Sequence, residues 1–131
     1  MSEMNYWAIV LAAVSAFVLG GLWYSVLFRR SWQRAAGLSD EQVQGGNKAL
    51  IFGGSFVLSL IAAFVFALFL GPNPSLALGL GAGFSAGLCW VAASFGMNYL
   101  FERRSARLFL VNGSYHTLQF TLYGLILGLW H

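Results

Sequence analysis

Charge is the first thing this chain has little of: seven basic and four acidic residues among 131, none of them inside its long apolar runs. Soluble domains carry about a quarter of their residues as Asp, Glu, Lys or Arg, against 8% here. That deficit argues against a soluble globular fold. A carboxylate within an apolar run, the usual device of a proton- or cation-coupled exporter, is missing. The single cysteine, Cys89, has no intrachain partner. The two histidines, His116 and His131, belong at different depths and have no thiol or carboxylate at ligand spacing, so no metal is expected. The serines lack a paired base and orienting acid, so an enzyme is not expected and no cofactor is implied.

What the chain has instead is apolar length. Four runs, Met4 to Phe28, Ala49 to Leu70, Ser75 to Phe101 and Leu108 to Trp130, are each long enough to cross a hydrocarbon core of about 30 Å at about 1.5 Å per helical residue. The fold class expected is all-α: an integral membrane four-helix bundle forming one transmembrane domain over residues 1–131. The first run is too long for a signal peptide and has Glu3 and no cation before it, so it is read as a span.

All seven cations lie in two connections: Arg29, Arg30, Arg34 and Lys48, then Arg103, Arg104 and Arg107. A basic excess placed this way follows the positive-inside rule and does not suggest nucleic acid. Both connections are then cytoplasmic, with both termini and the Gly71-Pro72-Asn73-Pro74 turn on the other side. Trp7, Trp23, Trp32 and Trp130 fall near the membrane surfaces, as an aromatic belt requires.

The chain also resembles itself. Sliding the first run onto the third so that Phe28 meets Phe101 overlays Ala12, Ala16 and Gly20 on Ser85, Cys89 and Ala93. The second and fourth runs match with Lys48 over Arg107 and Gly53-Gly54-Ser55-Phe56 over Asn112-Gly113-Ser114-Tyr115. This is the pattern of two tandem helical hairpins related as a parallel repeat. In the long connection, 29–48, Ser39-Asp40-Glu41-Gln42 has capping-box spacing, so a short helix is expected after a turn at Gly37. At the outer turn Asn73 is placed to cap the third helix, with Pro74 in its first position.

Small residues recur every fourth position: Ala8, Ala12, Ala16 and Gly20; Ser55, Ser59, Ala63 and Ala67; Gly79, Gly83 and Gly87. Such seams let helices approach closely in lipid, which supplies no hydrophobic drive between them. They leave little room for a water-filled pore within one chain. The third run has more small residues than one contact uses, which suggests that Gly79, Gly83 and Gly87, like Ala12, Ala16 and Gly20, serve helix packing or an oligomer interface.

On the fourth run Asn112, His116, Gln119 and Tyr123 are spaced four, three and four apart, which places them on one helical face. Near mid-membrane a charged imidazolium is costly, and the neutral ring still needs partners for both nitrogens. The overlay puts Val57, Leu60 and Phe64 at the positions of His116, Gln119 and Tyr123, so only one hairpin is polar. Two readings stay open: interhelical glue, or a site. The candidate ligand-binding set is His116, Asn112, Tyr115 and Gln119 with Ser25 and Asn98, and with Trp23 and Tyr24 as an aromatic wall. Ser25 and Asn98, equivalent in the repeat, are expected to approach one another.

Gly21-Leu22-Trp23-Tyr24-Ser25, then Phe28, Trp32 and Ala36-Gly37-Leu38-Ser39, together with Asn98-Tyr99-Leu100-Phe101-Glu102-Arg103-Arg104 and Asn112-Gly113-Ser114-Tyr115-His116, resemble domain-of-unknown-function family 1761, small bacterial membrane proteins. The likeness covers nearly the whole chain. It implies a four-helix protein of the bacterial inner membrane and brings no activity with it. Where a proline is expected after Trp-Tyr-Ser this chain has Val26, which predicts a straighter helix there. The leading expectation is an oligomeric membrane protein, in contact with lipid, that binds or conducts a small polar or amphipathic ligand. The alternative is a non-transporting structural or regulatory subunit that docks on a larger membrane partner through its small-residue face.

Overall fold

A computed structural model describes residues 4–131, so Glu3 lies outside the described residues. The described chain is all helical: α1 (Tyr6–Leu27), α2 (Arg29–Ala36), α3 (Asp40–Gln44), α4 (Lys48–Leu70), α5 (Leu76–Glu102) and α6 (Ala106–Leu129). Three of these, α1, α4 and α5, are long and apolar enough to cross a membrane. With 24 residues α6 has the length, but Asn112, Ser114, His116, Thr117, Gln119 and Thr121 dilute its apolar character.

Each long helix opens on a side chain that takes a first-turn amide proton. Asn5 accepts from the Ala8 N–H, Asn47 from Leu50, Ser75 from Leu78 and Ser105 from Leu108, at 3.0, 3.1, 3.0 and 3.3 Å. An unsatisfied amide at a helix start is costly wherever water is scarce. The capping box at Ser39 and Gln42 forms at the start of α3, and Gly37 takes the left-handed conformation before it. Two local expectations need correction. Ser75, not Asn73, caps α5: Asn73 is used in the turn itself, at φ 52°, with Pro74 preceding the cap. And Val26 does not straighten its helix. Residues Trp23–Leu27 widen into a π-helical turn closed by Phe28 N–H to the Trp23 carbonyl, and the chain then breaks at Phe28 into the unforeseen helix α2.

Packing inverts the soluble rule. Inside are small residues: Ala8, Ala12, Ala13, Ala16 and Ala63 have no exposed surface. Outside are large ones, with Phe101 90%, Phe69 82% and Trp7 74% exposed. Only 22%, 17% and 28% of the most apolar stretches of α1, α4 and α5 is buried within the chain. An apolar surface this extensive calls for lipid around it.

The central element is α6, which contacts α1, α2, α4 and α5. Its closest partner is α5. A Cβ on Gly79 would strike the Gly124 carbonyl and one on Gly124 the Gly79 carbonyl, while Gly83 and Gly87 abut the backbone at Phe120–Thr121 and His116–Thr117. The Gly79, Gly83 and Gly87 face is therefore occupied within the chain and is not free for another subunit. Along α1, Ala12 and Ala16 lie in the core and Gly20 lies under the Tyr115 ring. The packing is not two-fold: α1 lies along α6, whereas their counterparts in the overlay, α5 and α4, scarcely touch.

Candidate functional site

The polar face of α6 divides by depth. Its deeper half is closed: Tyr123 is fully buried and Gln119 nearly so. Gln119 Nε2 donates to Tyr123 Oη at 2.7 Å. Tyr123 Oη lies 2.6 Å from Ser59 Oγ and 3.2 Å from the Ser59 carbonyl, and Ser59 Oγ reaches the Ala13 carbonyl at 3.3 Å. This network ties α6 to α4 and α1. Phe66 and Phe120 pack around the Tyr123 ring. Ser59 read as a packing residue in sequence because its partner lies 64 residues away.

The half nearer the basic connections is more open. The π-helical end of α1 offers two neighbouring side chains to α6: Trp23 Nε1 donates to the Val111 carbonyl at 2.9 Å and Tyr24 Oη to Asn112 Oδ1 at 2.6 Å. Asn112 Nδ2 donates in turn to Tyr99 Oη at 2.6 Å. Tyr115 Oη donates to the Ala16 carbonyl at 2.9 Å, and its ring meets those of Tyr24 and His116 edge-on. On α5, past a second π-helical segment at Ala86–Ala92, Phe95 stacks on His116 at 4.8 Å with the planes 8° apart and packs against Tyr99.

Counting protons exposes what this cluster leaves unused. An amide offers one accepting and one donating end. Held between two phenols, Asn112 takes the proton of one and gives a proton to the other, so the second phenol keeps its own proton free. In this arrangement that phenol is Tyr99. Likewise Gln119 Oε1 holds His116 Nδ1 at 2.6 Å. A carbonyl oxygen only accepts, so Nδ1 carries the proton and Nε2 presents its lone pair. No hydrogen bond to Nε2 is made among the described residues, and the atom is not enclosed. An acceptor on His116 and a donor on Tyr99 are thus left unused, on two rings that both pack against Phe95.

Of the sequence-derived set, Trp23, Tyr24, Asn112, Tyr115, His116 and Gln119 are brought together. Ser25 and Asn98 are exposed and join none of these bonds. They sit one residue past Tyr24 and one before Tyr99, on the neighbouring faces of their helices. Phe95, outside the expected set, lies four residues before Tyr99, the helical spacing that marks a shared face. Two hollows on the molecule, about 20 Å³ beside Asn5, Asn73 and His131 and about 370 Å³ between Tyr6 and Phe64, do not reach His116 or Tyr99. The chemistry this arrangement offers is hydrogen bonding, with one free acceptor on His116 and one free donor on Tyr99.

The family model described as "Protein of unknown function (DUF1761)" matches residues 7–128. The chain belongs to that family. No curated protein and no solved structure matches it.

Proposed function

We propose that this DUF1761 protein is a four-helix protein of the bacterial inner membrane that holds a small polar or amphipathic ligand against His116 and Tyr99. The observation that carries this reading is the pair of unspent groups, a lone pair and a hydroxyl proton on two rings packed against Phe95, while among the described residues every buried side-chain polar atom is paired. Glue and site are then both present on α6, at different depths. Tyr123 and Ser59 fasten helices; Asn112 and Gln119 position the binding groups.

In this reading α6 crosses the membrane with the other three, since its polar face is turned to α1, α4 and α5. The basic connections are cytoplasmic and the termini lie opposite. A reporter fused after His131 is expected to be active only on the non-cytoplasmic side, and activity in the cytoplasm would overturn the orientation. The likeness of the two hairpins supports a duplication whose copies have since packed differently. Tight α5–α6 contact speaks for a binder rather than a conduit within one chain; conduction would require several copies. A subunit docking on a larger partner would have to use the opposite side of α5, where Gly81, Ser85 and Cys89 are exposed, because the other face is covered by α6.

The test is native mass spectrometry of the chain released from lipid nanodiscs. The reading expects a retained small-molecule mass whose affinity falls about tenfold, the worth of one hydrogen bond, in Tyr99→Phe and at least as far in His116→Ala. Equal retention in both variants and the unaltered chain, or a chain that never carries such a mass, would sink it.

A further inference from the structure

The cations have more to do than orient the chain. All seven lie at one end of the molecule, and all are exposed. Three carboxylates, Asp40, Glu41 and Glu102, lie at that end against the seven cations, with Glu102 directly before Arg103. Asp40 accepts from Gln33 Nε2 at 2.7 Å, and Asp40 and Glu41 sit in the first turn of α3, where the helix dipole already uses their charge.

Two loops far apart in sequence are drawn together here. Arg104 Nη2 donates to the Ala36 carbonyl at 3.2 Å, fastening the second basic turn to the end of α2. Arg34 lies in the last turn of α2. Arg103, in a left-handed conformation, closes α5, and Arg107 opens α6 just beyond the Ser105 cap. Four exposed arginines therefore lie on segments that meet at this end, with Arg104 reaching across to α2. Arg104 spends one of its five N–H donors on Ala36, and guanidinium forks match phosphate oxygens in geometry and charge.

Beside these arginines the surface turns abruptly apolar. Leu100 is 80% exposed, Phe101 90% and Leu110 62%, on the turns of α5 and α6 next to the arginines. Trp32, on α2, packs inward on Tyr24 and leaves Arg29, Arg30 and Arg34 facing out. A cationic edge above a bare apolar wall fits an amphipathic anion, with its phosphate on the rim and its chains on the wall. A free phosphate would have no use for the wall.

From this we propose that Arg34, Arg103, Arg104 and Arg107 bind the phosphate headgroup of an anionic phospholipid whose acyl chains lie against Leu100, Phe101 and Leu110. The proposal rests on the membrane-spanning reading above. It is independent of the His116 site.

The experiment takes the full chain into bilayers of phosphatidylcholine mixed with phosphatidylglycerol and reads the lipids retained on release by native mass spectrometry. The unaltered chain should keep phosphatidylglycerol in preference. Arg34→Gln/Arg104→Gln should weaken that retention about 30-fold, the loss expected of two cations beside an anionic headgroup. Both side chains are exposed, so helicity by circular dichroism should be unchanged. Equal retention of the two lipids, or a double variant as selective as the original, would overturn the proposal. Displacement of the lipid by inorganic phosphate would also overturn it, making the rim a site for soluble anions. Extraction of the chain from membranes by carbonate would remove the membrane reading and the lipid site with it. Failure of lipid selectivity in a chain that stays in the membrane removes the lipid site alone.

Discussion

Gly124→Leu is expected to leave no folded chain in a detergent extract, while Gly81→Leu should melt within about 3 °C of the original. Both glycines lie in long apolar helices, and the difference between them is what stands opposite. At Gly124 any Cβ meets the Gly79 carbonyl and the backbone behind it, whereas at Gly81 nothing lies within 4 Å. Overpacking a core costs about 1–3 kcal/mol when side chains can yield. Here the obstacle is main chain, so α5 and α6 would have to separate, and the contacts at Gly83 and Gly87 would be lost together. Even Gly124→Ala should cost about 3 kcal/mol, at the upper end of that range. Gly79→Ala should cost about the same, and the double variant less than the two together, since one displacement of α5 accommodates both. Circular-dichroism melting in detergent measures each. A folded, normally melting Gly124→Leu chain would mean that α5 and α6 do not pack through their glycines.

Tyr123→Phe is expected to destabilise the chain by about 2 kcal/mol although it removes a single oxygen atom. That oxygen accepts from Gln119 and sits within bonding distance of the hydroxyl and carbonyl of Ser59, all in the core. Phenylalanine keeps the ring contacts with Phe66 and Phe120 and leaves the Gln119 amide without its acceptor. The cost arises from those orphaned groups, and adding Gln119→Leu should not recover it, because that change takes the acceptor from His116 Nδ1. A loss no greater than about 0.6 kcal/mol, the average for interhelical hydrogen bonds in membranes, would show that this network does little to hold α6 in place. Tyr123→Phe should lower the melting temperature and weaken the His116 and Tyr99 site by less than the tenfold of Tyr99→Phe, because the Tyr123 oxygen touches that site only through Gln119, which holds His116 Nδ1.

How far the site could be read in advance depended on range. The stripe Asn112, His116, Gln119 and Tyr123 is visible as a spacing, because a helix converts intervals of three and four into one face. Which of its members are spent is not visible. That depends on Ser59, Tyr24 and Tyr99, which reach α6 from three other helices, and a count of donors and acceptors needs all of them. Ser25 and Asn98 show the same limit from the other side: equivalent by overlay, they are exposed, because α1 ends in a π-helical turn at Trp23–Leu27 and α5 carries its own at Ala86–Ala92. Those two segments do not correspond in the repeat.

The four long helices, the capping box at Ser39 and the gathering of every cation at one end were legible in the sequence alone. Helical hydrogen bonds and caps are local, and charge is kept out of apolar runs by the cost of burying it. The choice of contacts belonged to the tertiary structure. In lipid an inward face is no more apolar than an outward one, so hydropathy does not mark the interior, and only small residues signal close approach. On α5 two faces carry that signal, one through Gly79, Gly83 and Gly87 and the other through Gly81 and Ser85. Gly124 on α6 faces Gly79, and Gly83 and Gly87 meet the α6 backbone at Phe120–Thr121 and His116–Thr117, so the first of these faces is the one that packs.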